Sequence, residues 1–215
     1  MKRIRRGLSE AEHKRVGELF LEKIAYHEAG HAVCLIYCGI HVSGMYLHPT
    51  PMPVGSEVSL GCCISGLQKY KIWQLLFSCA GARYGEDLAP GISELRRIAA
   101  EHPVLPVRGD VKQMLRAATV EYNALLLEFA KSQAGPYGVG ESRMRTIIKE
   151  DFEPAHRVFC GSKEFNGAVE ILAKCLLRKR IITSQRVLNK NFLRIPTIQN
   201  ERFSPLFVQM SVYYD

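Results

Sequence analysis

The sequence predicts a mainly α domain with a small β-sheet or hairpin beside one buried helix, and three observations predict it. Apolar residues recur at helical spacing over long stretches, as in Val111, Met114, Leu115, Ala118, Tyr122, Leu125, Leu126 and Phe129. Between Val42 and Ser65 that period is lost, and β-favouring pieces flank a Pro- and Gly-rich connection. The stretch Ile24 to Ile36 is apolar on almost every side yet carries His27, Glu28 and His31. With 215 residues and 47% hydrophobic content, the chain can bury a substantial core, as one domain or with a small appendage.

The elements follow in order. A first helix opens at Ser9, where Glu12 completes a capping box, and runs toward the Tyr26–Val33 stretch with or without a break near Gly17. Gly39 is its natural left-handed stop. His41 to His48 and Val58 to Ser65 read as strands around the Pro49 to Gly55 connection. Lys69 to Leu88 reads as a helix ended by Pro90-Gly91, and Ser93 to Glu101 as a short one. Asp110 opens the long amphipathic helix, which Gly135 to Gly140 breaks. Helices over 142–159 and 163–178 follow, then a short one begun at Ser184. The domain reads as residues 1–193, and 194–215 as a tail packed on the body.

Composition excludes several classes. No apolar run reaches the roughly 18 residues needed to span a bilayer, so no membrane segment is expected. The basic start Met1-Lys-Arg-Ile-Arg-Arg is followed by polar Ser9 to Arg15 rather than an apolar signal, which points to the cytoplasm. Seven cysteines, an odd number set mostly in apolar runs, suit buried thiols better than a disulfide framework. Cys34 and Cys38 share a helix face and could form a second metal or redox pair, but small core residues are the simpler reading. Adjacent Cys62 and Cys63 point to opposite faces of a strand. The net charge of +8 is spread over Lys2 to Arg6, Arg96-Arg97, Arg143 to Lys149 and Arg178 to Arg180 without a nucleic-acid signature. No nucleic-acid partner is expected.

The chemistry concentrates in Tyr26-His-Glu-Ala-Gly-His-Ala-Val33. Its His-Glu-x-x-His pattern stacks His27 and His31 one turn apart on one helix face, where both imidazoles can reach a single Zn2+ ion. Glu28 can take the proton of an attacking water. Chance spacing on an amphipathic helix is the plain alternative. Ala29, Gly30 and Ala32 weigh against it, since glycine costs up to about 1 kcal/mol inside a helix and suggests a close approach to the backbone.

A catalytic tetrahedral site needs one more protein ligand. Tyr37 occupies the position where an extended motif would carry a third histidine. Asp110, at a helix start, can be aimed at a neighbouring helix, although Asp is also a favoured N-cap. Glu86 and Asp87 compete with it as ligands, as supporting acids or as surface charges.

Together these segments resemble the protease domain of the FtsH family of AAA+ zinc proteases. Ala25 to Val33 is similar to that family's signature nearly letter for letter. The strand pair and the Gly61 region resemble its small sheet beside the cleft, and Ala80 to Leu88 resembles its Gly-Gly-Arg-x-Ala-Glu-Glu-Leu segment. Gly109-Asp110 resembles its Asn-Asp, whose aspartate is the third zinc ligand, and Met144 to Phe192 its closing helices. The resemblance covers about residues 20–192. There are departures. The chain has no Walker A pattern and no membrane segments, Pro103 and Pro106 replace a Gly-rich approach to Asp110, and Met114-Leu115 replaces an Ala-Thr pair.

The resemblance implies a zinc metalloendopeptidase without its ATPase module. His27, His31 and Asp110 would bind the metal and Glu28 would serve as base. An extended peptide would add to an edge strand within residues 56–66 with weak sequence preference. Substrates would be peptides or unfolded segments, a separate ATPase could deliver folded ones, and a homo-oligomer is implied. The competing expectation is a catalytically silent zinc-binding regulatory or interaction module derived from a peptidase. Retention of Glu28 argues against it, because a purely structural zinc site needs no base.

Overall fold

A computed structural model describes residues 8–37, 41–54, 57–65, 83–101, 142, 146 and 161–195; at 48–54, 57–65 and 86 it describes the backbone. The fold is mainly helical with a small antiparallel sheet, as the sequence predicts. Its organising element is α1, one unbroken helix over Glu10–Tyr37. Its start is the capping box read from the sequence: Ser9 N–H donates to Glu12 Oε2 at 2.6 Å, and Glu12 N–H donates back to Ser9 Oγ at 3.3 Å. Gly17 does not break it, since nothing crowds that position. From Ala25 to Tyr37 every residue except His27 is buried, so this half of α1 is surrounded by protein, as an all-round apolar helix must be. Gly39, the expected stop, lies outside the described residues.

Strands β1 (Val42–Val54) and β2 (Glu57–Ser65) pair antiparallel from Val42↔Ser65 to Val54↔Glu57. The pairing corrects the expected Pro49–Gly55 connection, because β1 continues through Pro49, Pro51 and Pro53 as far as Val54. The physical reason lies in the partners. Beyond Leu47, β2 is the one described strand that pairs with β1, and prolines lacking N–H are tolerated along such an edge or at the register shift between Leu47 and Met52. A two-residue strand, β3 (Ile181–Ile182), pairs with Met45 and Tyr46 on the other side, giving the order β2-β1-β3.

A π-helical turn over Tyr84–Leu88 is the described end of the expected 69–88 helix, whose earlier part lies outside the described residues. It stops at Ala89, which is extended (ψ 132°) as residues before proline prefer. Helix α2 (Ile92–Glu101) follows, its buried Ile92, Leu95, Ile98 and Ala99 at helical spacing. Helix α3 (Lys163–Lys179) is capped by the Ser162 hydroxyl, which accepts the Phe165 N–H at 3.4 Å. It buries Phe165, Ala168, Val169, Leu172, Ala173 and Leu176 and packs against α1, with Phe165 meeting Tyr37 edge-to-face at 4.9 Å.

Arg180 closes α3 in the left-handed conformation (φ 64°), its N–H donating to Leu176 O at 2.8 Å, and delivers the chain directly into β3. The helix expected from Ser184 is absent; turns occupy 185–188 and 190–194. There the Asn189 side chain takes the Asn191 N–H at 2.8 Å, and such local capture competes with a helical ladder. The expected Asp110 helix lies outside the described residues, as does the 142–159 helix apart from Ser142 and Thr146.

Candidate metal centre

The site grows from the middle of α1. Because residues four apart stack along one helix face, His27 and His31 meet, their ring centroids 4.5 Å apart and their planes perpendicular. Their Nε2 atoms approach to 2.9 Å. A contact that short between two ring nitrogens needs one to donate and the other to accept, so at least one ring carries its proton on Nε2. His27 is held well below the usual imidazole range, first by burial, then by His31 and by the Lys23 ammonium. It is therefore neutral at physiological pH, the form in which imidazole binds metals.

Glu28 is 8% exposed, and burial pushes its carboxyl up to about 7. A carboxyl poised there can both accept and return a proton near neutrality.

The donor set fits zinc. Two nitrogens bound to one tetrahedral zinc at about 2.0–2.1 Å lie about 3.3 Å apart. The observed 2.9 Å is within a few tenths of an ångström of that spacing. A metal inserted between the rings would replace the hydrogen bond that joins them. Among the described residues, no group of three His, Cys, Asp or Glu side chains could hold a metal ion. Asp110 lies outside the described residues, and so does the Glu86 side chain. Asp87 is described, and it is engaged by Arg83 just before the π-turn and by Arg96 of α2 at 3.3 Å. Those two arginines suit it to tying the turn to α2. Cys34 is a buried free thiol, in keeping with a core role, and Cys38 lies outside the described residues.

Two neighbours of the histidines escaped the sequence reading. Lys23, one turn before His27, is only 4% exposed, with its Nζ 5.2 Å from the centre of the Phe20 ring. Its spacing of four from His27 was the available signal. Gly85, in the π-turn, is pressed against the helix. A Cβ added there would stand 2.7 Å from the His27 Cβ, 3.1 Å from the Lys23 carbonyl oxygen and 3.2 Å from His27 Nδ1. Nothing in the sequence pairs positions 85 and 27, since that proximity is purely tertiary.

Among known proteins, an ATP-dependent zinc metalloprotease FtsH from Cyanidium caldarium is 26% identical over 181 residues. The chain is distantly similar to FtsH. The aligned part is 83% of this chain and 27% of that protein, so the chain spans about a quarter of the length of the FtsH it matches. No family model matches the chain. No solved structure matches it either. No helix among the described residues is long and apolar enough to cross a membrane.

Proposed function

We propose that this chain is a zinc-dependent metalloendopeptidase acting on peptides and unfolded segments. The observation that carries the reading is the 2.9 Å convergence of two Nε2 atoms beside a buried carboxyl on the same helix. Its distant similarity to an FtsH metalloprotease supports the same chemistry.

In this reading His27 and His31 hold the zinc through Nε2, and Asp110 is the third protein ligand. Zinc, when bound, acidifies the attacking water and polarises the scissile carbonyl. Glu28 does the proton work: its carboxylate accepts the water's proton and returns it to the leaving amine. In the metal-free chain burial already raises this carboxyl to about 7.

The peptide binds in extended form along the outer side of β2, since β1 is already flanked by β2 and β3. Main-chain hydrogen bonds then supply most of the affinity, and sequence preference is weak. Folded proteins would reach the site through a separate ATPase that unfolds them, with the chain working as a homo-oligomer.

The test is cleavage of casein by the zinc-loaded protein and by Glu28→Gln. The amide keeps the shape and cannot accept a proton, so activity should fall about 10²–10⁴-fold with zinc content unchanged. Equal rates in the two proteins would refute the peptidase reading and favour a silent zinc module.

A further inference from the structure

We propose that the Tyr84–Leu88 π-turn is the brace that fixes the His27 imidazole, and that Gly85 is its point of contact. The inference rests on the zinc-site reading above and assigns a positioning role to residues outside the His-Glu-x-x-His motif.

Three observations carry it. First, the turn meets the root of the side chain. The atoms nearest to position 85 are the His27 Cβ and the Lys23 carbonyl oxygen, both fixed by the α1 backbone, and the ring's Nδ1. A Cβ 2.7 Å from the His27 Cβ cannot be absorbed by swinging a flexible end, so either the turn or the imidazole must move. Second, the turn is not free to move. Tyr84 is 2% exposed and its hydroxyl donates to Asn166 Oδ1 of α3 at 2.8 Å. On the far side Asp87 takes Arg83 and Arg96, tying the turn to α2. Third, the contact falls on the Nδ1 edge while Nε2 faces His31. Bracing one edge of a ligand imidazole is how surrounding groups set which nitrogen meets a metal. A π-helical turn widens the helix locally, as is common beside functional sites.

Gly85→Ala and Gly85→Val test this as a graded pair, with Gly91→Ala as a control for added bulk against α1. A Cβ at position 91 would meet the Leu19 Cδ2 at 2.5 Å and crowd the Glu22 carboxylate, both far ends of side chains that precede the motif on α1. The readouts are zinc affinity by competition with a chromophoric chelator, and the His27 ring nitrogen and proton signals of the metal-free protein by NMR. Gly85→Val should lose about 10–100-fold in zinc affinity and shift or broaden the His27 ring signals, with Gly85→Ala between it and the wild type. Tyr84→Phe, which adds no atoms near His27, should weaken zinc several-fold by loosening the anchor to Asn166. Gly91→Ala, whose added methyl meets only side-chain ends that can swing aside, should leave affinity and ring signals unchanged.

Wild-type affinity and ring signals in Gly85→Val would overturn the brace. Equal losses of affinity in Gly91→Ala would overturn it too, as they would mean that any added bulk against α1 is enough. A wild-type protein that binds no zinc would refute the proposed function instead, and the ring signals alone would then decide the brace.

Discussion

At the scale of the residue, three side chains within one and a half helical turns carry the core of the proposed chemistry, the two histidines through the metal and Glu28 through its proton. The protein should bind about one zinc per chain, as expected of an open site with three protein ligands. His27→Ala and His31→Ala should each abolish tight binding, measured by metal analysis after dialysis. Asp110→Asn should also strip the metal with little loss of stability, because asparagine caps a helix as well as aspartate does. Asp87→Asn should leave zinc in place and loosen the turn, since Asp87 is engaged by Arg83 and Arg96. Should Glu86→Gln strip the metal while Asp110→Asn keeps it, the third ligand comes from the π-turn.

Glu28 makes a separate prediction for the metal-free protein. Its carboxyl is raised from 4.5 to about 7 by burial, so between those values the native chain holds a proton that the unfolded chain releases. Stability from this group is therefore complete below pH 4.5 and is lost as pH rises through 7, by on the order of 3 kcal/mol. His27 acts in the opposite sense. Its depressed value means that stability falls as pH drops below 6.5, where the unfolded imidazole gains a proton. The difference between wild type and Glu28→Gln isolates the carboxyl. In urea unfolding, the wild type should lose ground to the variant steadily from pH 4.5 to 7.5, whereas parallel curves would mean that Glu28 is solvated.

At the scale of the element, what the sequence disclosed depended on whether the determining interactions were local. The capping box at Ser9 lies within four residues, and the structure forms both of its hydrogen bonds. Ser9→Ala should lower stability by about 0.5–2 kcal/mol, toward the low end for an exposed box, with zinc binding unchanged at low temperature. The histidine pair is local as well, set by helix geometry alone. The misreadings came from longer range or from competition. Three prolines looked like a loop, yet β2 holds Met52, Pro53 and Val54 in register through pairing seven, five and three residues away. The two residues of β3 are too few to show a pattern, and their place is set by Arg180, whose left-handed turn no motif announces. The short helix expected from Ser184 does not form, because the Asn189 side chain and the left-handed Arg194 divert the backbone. Gly85 against His27 joins parts of the chain that no local rule connects.

At the scale of the whole molecule, one helix serves both the core and the chemistry. Helix α1 packs against α2, α3, the π-turn and both long strands, and Arg15 near its start makes a two-point ion pair with Glu94 of α2. That pair is exposed at both ends and contributes little. The apolar contacts dominate, with Val16, Ala25, Ala29, Ala32 and Val33 of α1 and Val169, Leu172, Ala173 and Leu176 of α3 all fully out of water.

The burial of α1 on every side has a consequence for motion. The peptide hydrogens of residues 27–33 lie in the interior of a helix enclosed by five other elements, so they cannot meet solvent by local fraying. Their exchange with deuterium should follow opening of the entire domain, among the slowest in the protein, while the exposed first turn at Glu10 exchanges quickly. Fast exchange at His31 would show the motif to be a pliant segment. If it is slow, the two imidazoles and Glu28 stay fixed as a substrate arrives, and accommodation of different peptides falls to the surrounding walls. Such a protein would tolerate variety in the chain it cuts and very little in the geometry of the cut.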